Sequence, residues 1–322
     1  MPEHRSLKAL SCDRPLLALW KKSSWHARVL SVHERALNLI DPGGTMVTLL
    51  TSTPYNGPSR ILIEGPCSFA GIGIAPGDRF SCDGAELCHH TRKIVIALSP
   101  PPAMTVWSGR PDRRRSPLAG KGIKRNAARL ARFLLARSGG ETGDLVSESI
   151  CRAGMSAVSS HRDALSPANE LISALCDDLS KGIASGDPGQ AQRAAQRLLG
   201  LGKGLTPTGD DILLGFLGGL SMMKYHGFAL SATAVSFLRW FGSFIEGAGE
   251  LTTLISCQFL RWAAQGRLSE ELMDLTGELL ESKEPDLEKR ASWFLSMGAS
   301  SGREILLGVA LGMSAGGSGS IL

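Results

Sequence analysis

Between Trp25 and Trp107 the apolar residues come in short runs, alternating or continuous, broken at regular intervals by turn residues. The runs Ala27–Val32, Ala36–Ile40, Met46–Leu50, Arg60–Ile63, Arg79–Cys82 and Lys93–Leu98 have strand length. The breaks Asp41-Pro42-Gly43-Gly44, Asn56-Gly57-Pro58, Pro76-Gly77-Asp78 and Asp83-Gly84 are turn chemistry. Strands at this spacing predict an antiparallel sheet curled into a small barrel or sandwich. Pro100-Pro101-Pro102 and the Arg-rich run to Pro117 end that pattern, since neither continues a strand nor starts a packed helix. After Leu118 the period becomes helical: Ile123, Ala127, Leu130, Ala131 and Leu134 share one face, with Lys124, Arg125, Arg129 and Arg132 on the other. Further helices are predicted over 164–181, 189–199, 209–225, 229–245, 251–265, 270–280, 287–297 and 302–313. The expected fold is therefore α+β: a β-rich domain over 1–109, a basic linker over 110–118, and a mainly helical domain over 119–322. The Gly- and Ser-rich end, Ser314 to Ser320, reads as a fraying tail.

Composition removes several function classes. The 322 residues are 43% hydrophobic and 20% charged, which is ordinary for a folded chain and too apolar for a disordered one. Two Tyr beside 38 Gly leave few aromatic platforms for stacking bases, so nucleic acid is an unlikely partner. The apolar uncharged runs Ile212–Met223 and His226–Leu238 are too short to span a bilayer, and charges interrupt Met1–Leu19, so neither a membrane span nor a secretory signal is expected. A cytoplasmic location follows as the expectation. Seven scattered Cys without a Cys-x-x-Cys pair read as reduced thiols. Cys88-His89-His90 is the one local cluster of metal-ligand types, but adjacent strand residues point to opposite faces and cannot all converge on one ion. Of the net charge of +5, the stretch Arg110–Arg137 holds ten Lys/Arg against Asp112 alone; it reads as a solvated connector or as a docking surface for phosphate or an acidic protein.

One internal echo stands out. Thr208-Gly-Asp-Asp-Ile-Leu-Leu-Gly-Phe-Leu-Gly-Gly-Leu220 aligns without gaps on Ser301-Gly-Arg-Glu-Ile-Leu-Leu-Gly-Val-Ala-Leu-Gly-Met313. In each copy the hydroxyl can cap a helix and the acid three residues on, Asp211 or Glu304, can reach back. Gly215 and Gly308 would let two such helices pack with their backbones close, as a pseudo-symmetric pair whose N-termini open onto one cavity. The copies diverge where Asp210 is matched by Arg303.

The densest chemical signal precedes the first copy: Gly200-Leu-Gly-Lys-Gly-Leu-Thr-Pro-Thr-Gly-Asp-Asp211. Such a run is a shaped loop delivering the chain into a helix, and its glycines let backbone N–H groups approach a ligand beside the free N–H groups of the helix start. Gly202, Lys203, Gly204, Thr206, Thr208 and Gly209 are the candidate binding residues for a carboxylate or phosphate, with Lys203 supplying the charge. The run is not a nucleotide P-loop, because Gly204 follows Lys203 where Ser or Thr would be needed. Asp211 is accounted for as a cap that also lines the site. Asp210 is left to accept from a substrate amide, to act as a general base, or to hold a divalent ion, against the plain alternative of an acid complementing the helix dipole. Ser301, Gly302 and Arg303 offer a second anion contact. Gly65-Pro66-Cys67-Ser68-Phe69 reads as a turn. His161 and His226 lack triad partners and there is no Gly-x-Ser-x-Gly elbow, which disfavours a nucleophilic hydrolase.

This signature, with the β-rich first part, the Gly-Pro-x-Ser-Phe turn and the late Ser-Gly-x-Glu helix, resembles the AllH-like family, a subunit of oxamate carbamoyltransferase from anaerobic allantoin breakdown. The resemblance spans most of the chain. It implies carbamoyl transfer between oxalurate and phosphate, giving oxamate and carbamoyl phosphate, in company with other carbamoyltransferase subunits. The chemistry of the loop is compatible with this: Lys203, the glycine amides and Arg303 are expected to hold the anionic end while Asp210 serves as the catalytic acceptor from the nitrogen. The sequence demands no cofactor. It departs from the usual carbamoyltransferase architecture, since neither that two-domain α/β sheet pattern nor its phosphate motif is present. Two other readings stay open: a non-catalytic binding or assembly subunit, and a metal-assisted enzyme using Asp210 and Asp211 on a small carboxylate.

Overall fold

A computed structural model of the chain describes residues 5–20, 24–51, 53, 55–65, 68–91, 94–98, 103–109, 118, 120–137, 140–155, 166–296 and 300–317. Pro66 and Cys67 of the expected turn, residues 110–117 of the basic linker, His161 and the tail beyond Gly317 lie outside the described residues, whereas Ser314 to Gly316, expected to fray, are the last residues of a helix that buries Ala315. The chain divides into two compact units, Met1–Arg110 with Arg267–Glu270, and Pro111–Gly266 with Glu271–Leu322.

The first unit is a closed eight-stranded β-barrel. Its elements are β1 (Arg5–Asp13), a short helix α1 (Arg14–Trp20), β2 (Trp25–Val32), β3 (Ala36–Ile40), β4 (Met46–Thr51), β5 (Arg60–Ile63), β6 (Arg79–Cys82), β7 (Glu86–His89), β8 (Ile94–Ala97) and β9 (Thr105–Trp107). The strands run β5-β4-β3-β2-β6-β7-β8-β1, and β1 returns to β5 to complete the ring, with β9 added beside β1. β1 manages this because its nine residues serve both edges. Ala9 to Cys12 pair with Ile63 to Ile61 of β5, Arg5 to Lys8 with Ile94 to Ala97 of β8, and Ser11 to Asp13 with Thr105 to Trp107 of β9. Burial alternates along β1 as far as Ser11, which leaves Leu10 on the surface, and the pairing with β5 shifts register between Ala9 and Ser11.

Alternation fills the barrel. Trp25, Ala27 and Val29 of β2 are buried while His26 and Arg28 are exposed, and Phe80 and Cys82 of β6 point inward between exposed Arg79 and Ser81. Leu16, Leu17 and Trp20 of α1 join this core, Trp20 with its ring 5.1 Å from that of Trp25. The barrel expectation holds, in a mixed sheet: the β4–β5, β1–β8 and β1–β9 pairs are parallel and the others antiparallel. A turn signal marks where a strand ends, but not which sheet edge the next one joins.

The segment Arg267–Glu270 belongs to this unit through polar contacts. Arg267 Nη2 lies 2.6 Å from Oδ2 of buried Asp13, which also accepts from the Ser59 amide at 2.7 Å, and the Asn56 amide donates to Glu270 Oε2 at 2.8 Å.

The second unit is helical: α2 (Gly120–Leu135), α3 (Gly140–Arg152), α4 (Pro167–Ser185), α5 (Pro188–Leu198), α6 (Thr208–Tyr225), α7 (Ala232–Gly247), α8 (Leu254–Ala264), α9 (Glu270–Glu281), α10 (Leu287–Leu295) and α11 (Ser301–Gly316). Side-chain caps start several of them, among them Ser166, Asp187, Ser231, Thr253 and Asp286, each accepting from an amide three residues on. The basic face of α2 is partly engaged within the unit, since Arg129 Nη1 donates to the Lys283 carbonyl at 2.5 Å just past the end of α9. No described helix is long and apolar enough to cross a membrane.

α6 and α11 are buried almost all round and form the centre of the unit. They run parallel, with their backbones in contact through glycine. A Cβ on Gly215 would fall on the Ile305 carbonyl oxygen, and one on Gly308 would fall on that of Ile212. One turn on, a Cβ on Gly219 would lie 3.1 Å from the Val309 oxygen and one on Gly312 would lie 2.5 Å from the Phe216 oxygen. Each contact is the image of the other under the gapless alignment of the two copies, so the sequence echo is a structural pseudo-twofold. It extends outward: Gly209 packs on the last-turn carbonyl of α5 at Leu198, and Gly302 on that of α10 at Phe294.

Candidate functional site

The residues singled out by the signature gather where α6 and α11 begin. Residues 200–207 form a loop made possible by three glycines in the left-handed region, Gly200 at φ 74°, Gly202 at 131° and Gly204 at 93°. Its base is pinned: Leu201 N donates to Leu198 O at 2.9 Å, Gly209 N to Leu201 O at 2.8 Å, and Thr253 Oγ1 to Leu205 O at 2.6 Å. Its tip, Gly202-Lys203-Gly204-Leu205, is exposed. The N–H groups of Gly202, Lys203, Gly204, Leu205 and Thr206 make no hydrogen bond among the described residues.

Asp210 does not stand free. One oxygen, Oδ1, accepts from the Gly200 amide at 2.7 Å; Oδ2 accepts from the Thr252 hydroxyl, and the Ser256 hydroxyl lies near the same carboxyl. The side chain is buried and clamps the loop base to the segment leading into α8. Burial pushes its carboxyl upward from the usual range, opposed by those three neighbours. Thr252 and Ser256, which lie some forty residues downstream of Asp210, carry no mark in the sequence that would have joined them to the signature.

The expected capping boxes do not form. Thr208 is already helical, Pro207 precedes it without a side-chain cap, and the hydroxyls and acids are exchanged between the two copies. Thr208 Oγ1 donates to Glu304 Oε1 at 2.9 Å, and the Ser301 hydroxyl bonds Asp211 in the mirror arrangement. Thr206 Oγ1 lies 3.0 Å from Ser301 Oγ and bonds Asp211 as well. Asp211 and Glu304 therefore meet across the pseudo-twofold and hydrogen-bond each other. Asp211 Oδ2 meets no N–H or hydroxyl donor among the described residues, and a proton shared with Glu304 accounts for it. Burial, then the neighbouring Glu304 and Asp210 charges, push Asp211 up to about 8 against its hydroxyl partners, and burial raises Glu304 too. Glu304, a capping acid by sequence, becomes one half of this pair.

The electrostatic consequence favours an anion. With Asp210 engaged by donors and the Asp211–Glu304 pair retaining a proton near neutral pH, the three acids oppose the positive ends of the two parallel helices less than three free carboxylates would. Lys203 sits exposed on the loop tip. Arg303 is half-buried at the start of α11, and its Nε has no partner among the described residues. Gly209 and Gly302 serve packing, beneath the loop and beneath α11. His226 is buried with Nδ1 3.2 Å from Glu281 Oε1, an ion-pair geometry within the helical unit.

Fold and site define a class: a chain with a closed β-barrel followed by a helical unit, whose central glycine-packed helix pair starts at a loop rich in free backbone N–H groups. The chain belongs to the AllH family. A model described as AllH family N-terminal domain matches residues 8–103, and one described as Oxamate carbamoyltransferase subunit AllH matches 198–313. The second match runs from the end of α5 through α11 and takes in both copies of the repeat. No curated protein and no solved structure matches the chain.

Proposed function

We propose that this chain is a subunit of an oxamate carbamoyltransferase-type assembly, and that its signature loop binds the anionic end of a small substrate there. The observation that carries the site is the run of unpaired N–H groups over 202–206 beside Lys203, at the joint start of α6 and α11. Oxalurate, oxamate, carbamoyl phosphate and phosphate each present a carboxylate or phosphate that such donors would grip. In the transfer, a phosphate oxygen attacks the ureido carbon of oxalurate. The C–N bond to the oxamate nitrogen breaks, and that nitrogen takes the proton given up by phosphate. Donors already aimed at the anion would stabilise the oxyanion that develops at the carbamoyl carbon. Arg303 adds a fork for the second charged group, and partner subunits supply the rest of the reacting surface.

Asp210, by sequence the catalytic acceptor, we assign to positioning: its carboxylate holds Gly200 and Thr252 so that the loop keeps its shape. The Asp211–Glu304 pair lies under the loop as a singly protonated floor, with Ser301, Thr206 and Thr208 as its hydroxyl partners.

Calorimetric titration with each of the four ligands, alone and with the partner subunits, tests this reading. Binding weakened about tenfold or more in Lys203→Ala, a loss of roughly 1.4 kcal/mol or above, is the expected result. Equal affinity in wild type and Lys203→Ala, or silence for all four ligands in the assembled complex, overturns it and leaves the chain an assembly subunit.

A further inference from the structure

We propose that Asp78, His89 and His90 of the barrel form a binding site for one divalent cation of the zinc class. The three residues each offer a ligand atom, and these atoms lie within 4.8 Å of one another. By sequence, His89 and His90 should point to opposite faces. The structure differs because β7 ends at His89 and His90 enters the turn to β8, so the two rings come to lie side by side, with centroids 4.3 Å apart. Asp78 reaches them from the turn before β6, where its backbone oxygen accepts from Val29 N at 2.7 Å and its carboxylate accepts from Ala75 N at 3.1 Å.

The geometry is that of a prepared site. His89 Nε2 is 3.0 Å from Asp78 Oδ2, close to the separation of two ligands sharing a zinc ion at bond lengths of about 2.0–2.1 Å. The other ring nitrogen of His89, Nδ1, is 3.0 Å from Thr91 Oγ1, which can accept its proton when Nε2 turns to a metal. The buried His89 ring packs edge-on against Phe80, 5.2 Å between centroids, and this fixes its orientation. His90 is exposed, with Nδ1 3.3 Å from the Arg79 amide and carbonyl, and would close the set by turning its ring toward Asp78 and His89. Two imidazoles and one carboxylate suit zinc, cobalt or iron(II) over calcium or magnesium, and three protein ligands leave a position open to water or an anion. Cys88 takes no part, its thiol facing Glu86 Oε2 at 3.8 Å.

The test uses the full chain stripped with chelator. Zinc is titrated by calorimetry, cobalt by its visible absorption, and the His89 ring nitrogens are followed by NMR. One equivalent of zinc should bind, with affinity falling about tenfold or more in His90→Ala and in Asp78→Asn, and the His89 proton should move from Nε2 to Nδ1 on loading. His90→Ala alters an exposed side chain and leaves the barrel core intact. Undiminished binding in both variants would assign the metal to the thiols, and the absence of a one-equivalent step in wild type would reduce the cluster to a hydrogen bond; either result overturns the site.

Discussion

The starts of α6 and α11 share a backbone arrangement and have been put to different uses. Both copies keep the residues that make the pair possible: a glycine against the preceding helix, Gly209 or Gly302; an acid for the shared proton, Asp211 or Glu304; and a glycine at the crossing, Gly215 or Gly308. They differ where Asp210 faces Arg303 and where a long glycine loop precedes only the first copy. Asp210 anchors that loop, whereas Arg303 keeps its Nε without a partner among the described residues. The symmetric residues build the platform; the one asymmetric position and its loop make half of it a site.

The crossing glycines should be the most sensitive points. Gly215→Ala puts a methyl on a main-chain oxygen of a helix that cannot retreat, and a loss of about 3 kcal/mol in chemical denaturation is expected. Gly308→Ala should match it to within about 1 kcal/mol, and a clear inequality would break the pseudo-twofold. Next comes the asymmetric position. Asp210→Ala should cost about 2 kcal/mol and speed amide exchange at Gly200, because it strands the Gly200 amide and the Thr252 hydroxyl, whereas Arg303→Ala should change thermal stability by no more than about 0.5 kcal/mol.

The shared proton predicts a pH dependence. In the folded chain Asp211 stays neutral up to about pH 8, while in the unfolded chain it ionises near pH 4. Between those values the folded state binds the extra proton, so the stability this group contributes is complete below about pH 4 and is lost as pH rises through about 8, with Glu304 acting in the same direction. Denaturation midpoints measured from pH 5 to 9 should fall, and Asp211→Asn should flatten that slope. The smallest effect has the opposite sign: Gly277→Ala in α9, with open space around the new methyl, should gain about 0.5–1 kcal/mol and show that helix glycines outside the crossing are dispensable.

Much of this architecture was legible because it is written locally. The strands β2 to β6 and β8 follow from apolar runs between turn residues, and the helix pair from a repeated motif. β1 was not legible: its inward positions include Ser11 and its outward ones Leu10, so the apolar residues do not mark the face, and Arg5, Lys8 and Asp13 make it look like a polar leader. β7 and β9 are three or four residues long and have one or two inward side chains each. At the site, residue types identified the loop and the acids but not their pairing, because a hydroxyl and an acid three residues apart predict a cap within one helix. The exchange between helices depends on glycines that bring a second backbone into contact. The Asp78 cluster was missed for a related reason: alternation describes a strand, and His90 has left it.

The membership of Arg267–Glu270 in the barrel unit has a consequence for how the chain is made. Residues up to Trp107 contain every strand, yet Asp13 acquires its arginine only when Arg267 has been synthesised. At ordinary translation rates that is a wait on the order of ten seconds or longer, during which the nascent barrel holds an acid without its counter-charge. A gene fragment ending at the apparent domain boundary would leave the barrel permanently in that state, whereas grafting the four-residue segment back onto it should restore the missing partner.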